Sequence, residues 1–204
     1  PSIENIPGSV SFDEISPSDG VGETRFGQLP SDHPVYIMFT SGTTGKPKCM
    51  VQGAAGVLVN HLKELLLHAD LKKSDYVTYI TSPSWMMWNW LVSGLSTGAT
   101  LMIYDGNPFY PQATTQWNFI GEHGCTHHAT GAPVILAWQQ QGIDLSARAE
   151  MKSLRTIIYS AAVLPAQGFE YIHEKIKRDV KIDPFCGGTD IVGGFVYGNA
   201  FTPT

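Results

Sequence analysis

Cysteine is scarce and unpaired in this 204-residue sequence. Cys49, Cys125 and Cys186 lie far apart, odd in number, with no CxxC pair. That argues against a disulfide framework and makes a reducing, cytoplasmic setting the expectation. Basic charge is thin as well: 13 Lys and Arg stand against 18 Asp and Glu, a formal net charge of −5. No basic cluster offers the phosphate neutralisation that nucleic acid requires, and none suggests a membrane patch. The opening PSIENIPGSV has no basic head followed by an apolar stretch, so no signal peptide is expected. The chain does not begin with Met and ends at NAFTPT just after an apparent strand, so it reads as a piece of a longer protein.

Charged side chains are missing altogether between Tyr76 and Tyr104. A spanning helix needs about 20 predominantly apolar residues. Pro83, Asn89, Gly94, Gly98 and several Ser and Thr interrupt this run, which reads better as strand, helix and strand in a buried sheet. Internal repeats and low-complexity segments are absent. So is the Gly-x-Ser-x-Gly elbow of a serine hydrolase, and Ser41 has no base nearby in sequence. His123, Cys125, His127 and His128 are a poor zinc set. On a strand Cys125 and His127 share one face and His128 the other, and no second ligand pair stands elsewhere.

What is present is a packed globule, 43% hydrophobic and 15% charged. Residues 1–34, rich in Ser, Pro, Gly and Asp, read as a lead-in loop. Beyond them strands and helices alternate. Val35–Phe39 is an apolar run, expected to be a buried strand, and Cys49–Val51 a possible second. Ala54–His68 has helical spacing, with Leu58, Leu62, Leu65 and Leu66 on one face and Lys63 and Glu64 on the other. Tyr76–Ile80 and Thr100–Tyr104 read as strands around a helix at Trp85–Leu95, the second closed by the turn signal Asp105-Gly106-Asn107-Pro108. Helices at Thr114–His123 and Val134–Gln141 flank a strand at Cys125–Thr130. Leu154–Tyr159 is a strand, and Pro165 opens a helix whose Phe169, Ile172 and Ile176 face inward. Val180–Phe185 and Gly194–Tyr197 complete the series. This order implies an α/β fold, a mostly parallel sheet with helices on both faces. In such sheets ligands sit at the carboxyl ends of strands, so the loops following strands carry the chemistry.

Two such loops suit phosphate. Thr40-Ser41-Gly42-Thr43-Thr44-Gly45-Lys46-Pro47-Lys48 follows the first strand. Its glycines let backbone N–H groups turn toward an anion, its hydroxyls add donors and its lysines add charge. It is not a Walker A loop: two residues, not four, separate Gly42 from Gly45, and Pro47 follows Lys46. The second, Gly187-Gly188-Thr189-Asp190, offers close backbone approach, a hydroxyl for a phosphate oxygen and a carboxylate for Mg²⁺.

The first string resembles the phosphate loop of the adenylate-forming superfamily, and the second resembles that family's Thr-Glu nucleotide motif with Asp190 in place of Glu. Asp is one methylene shorter, which allows water-mediated metal contact. The Gly-Gly-Thr-Asp form, the run Trp85-Met86-Met87-Trp88-Asn89-Trp90, and Leu29-Pro30, His33-Pro34 and Ile37-Met38-Phe39 resemble the acetoacetyl-CoA synthetase branch. The resemblance runs from about Leu29 to Asp190. It implies that residues 35–204 are part of an AMP-binding (adenylation) domain, with the family's mobile C-terminal domain and its ribose-contacting Asp outside this chain. It also implies ATP, Mg²⁺ and CoA as cofactor and co-substrates, and a short 3-oxo acid as substrate. Nothing in the pattern sets an oligomeric state.

By the same resemblance Lys48 and Thr189 are the expected catalytic pair. Thr40 to Lys46, Ala161-Ala162-Val163 and Gly187 to Asp190 bind nucleotide, and Asp190 meets the metal. Trp85 and Trp88 border the acyl group. Thr130, in Thr130-Gly131-Ala132-Pro133, lies near CoA or else caps a helix. The Ala161–Val163 turn stands where acetyl-CoA-synthetase relatives have Gly-Glu-Pro, so its contact with adenine is open. The implied chemistry is two-step ligation of acetoacetate to CoA through an acyl-adenylate, with the isolated 204 residues expected to be inactive. Acetate or propionate as the acid, a non-catalytic nucleotide-binding module and a P-loop phosphotransferase are the alternatives, the last disfavoured by the glycine spacing.

Overall fold

The computed structural model describes residues 6–11, 14, 25–40 and 45–202. The chain divides into two units, Pro1–Pro30 and Ser31–Thr204. In the first, Ser9 closes a turn by donating its backbone N–H to the Ile6 carbonyl at 3.1 Å.

The second unit opens with an antiparallel hairpin, β1 (Pro34–Thr40) and β2 (Lys48–Gly53), in which Thr40 lies opposite Lys48 and Ile37 opposite Val51. It continues through α1 (Ala54–Lys63), β3 (Tyr76–Tyr79), α2 (Met86–Ser93), β4 (Thr100–Leu101), α3 (Thr115–Glu122), β5 (His127–Gly131), α4 (Ala132–Gln140), β6 (Thr156–Ser160), α5 (Ala166–Tyr171), β7 (Lys181–Gly188) and β8 (Gly193–Tyr197). The main sheet has the order β4-β3-β5-β6-β7-β8. Its first five strands are parallel and β8 returns antiparallel to β7. The α/β reading of the sequence is therefore borne out.

Both faces of the sheet are covered, which is why its strands read as continuous apolar runs. Ile157 and Tyr159 of β6 and Ile182 of β7 point to one side. There they pack with Trp117 and Ile120 of α3, Ile135 and Trp138 of α4 and Ile172 after α5. Ala129 and Ile158 point to the other, against Trp90 and Leu91 of α2 and Leu65. Each fully buried side chain of this size contributes about 1.5–3 kcal/mol relative to exposure.

Three local expectations are corrected. Val35, Ile37 and Phe39 are exposed and only Met38 of β1 is buried. Strand alternation puts the odd-numbered residues on one open face with Val51. The inward face of α1 and of the π-helical turn Glu64–His68 carries Val57, His61, Glu64 and Leu65, while Leu58 and Leu66 face outward. Polar His61 and Glu64 are tolerated inside because each has partners there: Ser93 and Val192 for His61, Trp90 and Gly194 for Glu64. The strand expected over Thr100–Tyr104 is only the two residues of β4.

No helix among the described residues is long and apolar enough to cross a membrane. The uncharged run from Tyr76 folds as strand, helix and short strand, as its Pro and Gly breaks imply.

Candidate nucleotide and acyl site

The carboxyl ends of β3, β5, β6 and β7 open onto one cleft of about 570 Å³. Tyr79 and Thr81, Gly131, Ala161 to Val163, and Gly187 to Thr189 line it, and Trp85, Met86 and Met87 close one wall. Across its mouth the Tyr79 hydroxyl and Ser160 Oγ share a hydrogen bond of 2.8 Å. Burial pushes the Tyr79 phenol up to about 12, so it stays a neutral hydroxyl near pH 7.

A second cleft of about 660 Å³ runs along Val35 to Phe39 of β1 and shares Trp85, Met86 and Thr189 with the first. The strand that leads into the glycine-rich loop and the turn carrying Thr189 thus border the same space. Ser41, Gly42, Thr43 and Thr44 lie outside the described residues. The loop's two roots are described: Thr40 ends β1, Lys48 opens β2 opposite it, and Gly45, Lys46 and Lys48 are exposed.

The second loop is a tight structure. β7 runs through Gly187 and Gly188 into a 3₁₀ turn at Thr189–Ile191, and Val192 follows with left-handed backbone, φ +49°. Gly187 is required by close approach, since a Cβ there would collide with the backbone of Gly193 and Gly194 on β8. Thr189 is half-buried and Asp190 exposed. Gln52 of β2 donates its side-chain amide to the Asp190 carbonyl at 2.9 Å. Thr189 and Asp190 offer hydroxyl and carboxylate oxygens, the donor type Mg²⁺ prefers. Among the described residues no group of three or more His, Cys, Asp or Glu could hold a metal. A metal at Asp190 would therefore take its remaining ligands from phosphate and water. The residues present fit such a group.

Of the acyl-side residues, Trp85 precedes α2 as its N-cap, exposed and on the wall of both clefts. Trp88 is half-buried and packs against the core between α2 and the sheet. The structure does not bring it to the cleft lining. Thr130 is fully buried within β5, and the cap of α4 is Gly131, with no side-chain capping bond. At the turn expected to meet adenine, Ala161 adopts φ +72°, a conformation disfavoured for any residue with a Cβ. Ala161, Ala162 and Val163 all face the cleft. Met86, Met87, Tyr79 and Gly131 also line it and were not singled out from sequence as site residues. For Tyr79 and Gly131 the signal was position at the carboxyl end of a strand; Met86 and Met87 open α2, the helix that follows β3.

The His and Cys residues set aside as a zinc site are separate. His127 Nε2 bonds the Ala69 carbonyl at 3.0 Å on one face of β5. His128 lies on the other, between Trp117 and Trp138.

Comparison with known proteins agrees with this fold. The model of the family described as AMP-binding enzyme matches residues 6–197. The acetoacetyl-CoA synthetase of Mus musculus is 41% identical over 98% of this chain, and that of Xenopus tropicalis 39% identical over 98%. This chain spans about 30% of the length of either relative. The solved structure of acetoacetyl-CoA synthetase from Streptomyces lividans superposes with a TM-score of 0.83 at 37% identity, covering 87% of this chain and 28% of that one.

Proposed function

This chain belongs to the AMP-binding enzyme family, and from that premise we propose that the complete protein joins acetoacetate to CoA at the expense of ATP. The observation that carries the reading is the sharing of Trp85, Met86 and Thr189 by the strand-end cleft and the β1 cleft. That arrangement supports reading the Trp85 side as an acyl wall and the Thr189 turn as a phosphate site beside the root of the glycine-rich loop.

In the first step an acetoacetate carboxylate oxygen attacks the α-phosphorus of ATP. The bond to the bridging oxygen breaks, leaving acyl-adenylate and pyrophosphate. In the second, the CoA sulfur attacks the acyl carbon and AMP leaves with the ester oxygen. A carboxylate is a weak nucleophile, so rate must come from alignment and from neutralising phosphate charge. Lys48 and Lys46 supply positive charge from the hairpin, the loop amides and hydroxyls from Thr40 to Gly45 cradle phosphate oxygens, and the Thr189 hydroxyl donates to the transferring group. Mg²⁺, held near Asp190 directly or through water, would offset charge on the phosphates. Ala161 to Val163 and Gly187 to Gly188 give flat, small-residue walls for the adenine, Trp85 bounds the acid, and Trp88 supports it from behind. Gly131 lines the cleft, which supports reading the Thr130 turn as lying on the approach to CoA. Three free cysteines fit a reducing cytoplasmic location.

The test is product analysis with the complete protein. Acetoacetate, ATP and CoA should yield thioester, AMP and pyrophosphate, with acetate and propionate poorer. Efficient turnover of acetate or propionate in place of acetoacetate would move the acid assignment. ATP binding with no acid-dependent pyrophosphate release would replace the enzyme by a binding module.

A further inference from the structure

Helix α1 buries a histidine whose bonds reach the nucleotide turn. His61 is fully buried. Its Nε2 lies 2.5 Å from the Val192 carbonyl, which can only accept, so Nε2 carries the proton. Nδ1 is then an acceptor and takes the Ser93 hydroxyl at 2.8 Å, whose proton is shared with the Asn89 carbonyl at 3.1 Å. Ser93 ends α2, the helix that Trp85 caps, and Tyr36 of β1 packs against the cluster of Met38, Val57 and Val192. Val192 is the residue that stops the Thr189–Ile191 turn, its N–H donating back to the Thr189 carbonyl at 3.3 Å. A β-branched residue in left-handed backbone is an outlier that surrounding contacts must hold in place. Here a full burial beside Met38 and Val57 and the bond from His61 do so.

We propose that His61 is a positioning residue for the nucleotide site: through the Val192 carbonyl it fixes the Thr189–Asp190 turn, and through Ser93 it ties that turn to α2, beside the Tyr36 and Met38 packing of the strand entering the Thr40–Lys48 loop. The inference rests on the nucleotide reading of that turn. His61 touches neither cleft; it acts through the backbone of Val192. Burial lowers its pKa and so keeps the ring neutral, which preserves the tautomer the two bonds need. Glu64, three residues on, is engaged with Trp90 and Gly194 and pulls in the opposite direction on that pKa without reversing it.

The experiment compares His61→Ala, His61→Gln and the milder Ser93→Ala in the complete protein. Two readouts are taken: amide hydrogen exchange over residues 189–194, and the KM values for MgATP and for CoA with kcat. In His61→Ala, exchange at 189–194 should rise about 10-fold and KM for MgATP rise about 10-fold, with KM for CoA unchanged; a loss of one hydrogen bond sets that scale. Ser93→Ala, expected to fold even where His61→Ala does not, should move both readouts the same way by about threefold. His61→Gln, whose amide nitrogen reaches the place of Nε2, should return both to within about threefold of the parent. Unchanged exchange at 189–194 in both the alanine variants overturns the inference. So does a uniform loss in all kinetic parameters with Gln no better than Ala. A parent protein without acid-dependent pyrophosphate release would instead sink the nucleotide reading, and the exchange arm would still decide whether His61 holds the turn.

Discussion

Gln52 and Asp190, 138 residues apart in the chain, are joined by a hydrogen bond of 2.9 Å from the Gln52 side-chain amide to the Asp190 carbonyl. Gln52 stands four residues beyond Lys48 on β2, so the arm that follows the glycine-rich loop is tied directly to the turn that carries Thr189. The bond is solvent-exposed, which limits its worth to about 0.5–1.5 kcal/mol. Gln52→Ala in the complete protein should therefore raise KM for MgATP by roughly two- to tenfold and leave KM for CoA unchanged. Steady-state kinetics with each substrate varied in turn check this. An equal rise for both substrates would show that the two loops are not linked through this residue.

Trp85 offers a separable prediction, because it meets the cleft on the wall it forms with Met86 and Met87. A large aromatic on a pocket wall discriminates acids by about 1–3 kcal/mol. Trp85→Ala should weaken use of acetoacetate roughly tenfold or more on that scale, and narrow its advantage over longer acids. KM for MgATP should stay within about twofold, a change well under one hydrogen bond's worth. The measurement is acid-dependent pyrophosphate release across a series of acids. Retained preference would place the acyl group elsewhere in the cleft.

The parts of this molecule that were legible in the sequence are those where local chemistry and tertiary role coincide. Thr156 to Tyr159 is β-branched or aromatic throughout, and it became a strand buried on both faces. Pro165 and the apolar spacing of Phe169, Ile172 and Ile176 marked a helix that buries Ile172 and Ile176 together with Gly168 and Tyr171, with Phe169 partly buried against the same core. Val35, Ile37 and Phe39 were misread because apolar character does not compel burial; the hairpin leaves that face open. Glu64 departs from its expected outward face for the converse reason, and the burial of His61 beside it has no signal in the sequence. Their burial depends on Ser93, Trp90, Val192 and Gly194, which lie 26 to 131 positions away, and no periodicity within α1 encodes such partners. The site was legible as loops, since Thr40 to Lys48 and Gly187 to Asp190 each follow a strand. The cross-links that hold them, Gln52 to Asp190 and His61 to Val192, belong to the fold alone.

Ala161 carries a cost visible in its backbone. At φ +72° a residue with a Cβ is disfavoured by roughly 1–2 kcal/mol. Glycine removes that strain but loosens the unfolded chain, which costs about 0.4–1 kcal/mol. Ala161→Gly should on balance stabilise the fold by about 0.5–1 kcal/mol, read as a higher urea midpoint with an unchanged slope. Because Ala161 faces the cleft, nucleotide affinity measured on the same variant reports whether relief of strain also changes the adenine wall. A lower midpoint would mean that the Ala161 methyl packs more favourably than its backbone is strained.

His128 sets an acid limit on the fold. It is fully buried among Trp117 and Trp138, and neither ring nitrogen bonds another described residue. Burial lowers its pKa to about 3. In the unfolded chain the same group titrates near its ordinary value of about 6.5, so between those two pH values the unfolded state takes up a proton that the native state refuses. Stability is therefore present above about pH 6.5 and is lost as pH falls toward 3, at up to about 1.4 kcal/mol per pH unit from this residue. Burial lowers His61 and His127 in the same direction, so they steepen the same decline. His128→Leu removes one proton from it and exchanges an unbonded polar ring for an apolar side chain of similar size. At pH 7.5 the variant should match the parent to within about 1 kcal/mol. Between pH 7.5 and pH 5.0 it should lose about 2 kcal/mol less than the parent, measured as urea unfolding at the two pH values. An undiminished loss in the variant would mean that His128 is charged in the native protein, or that other groups carry the acid response.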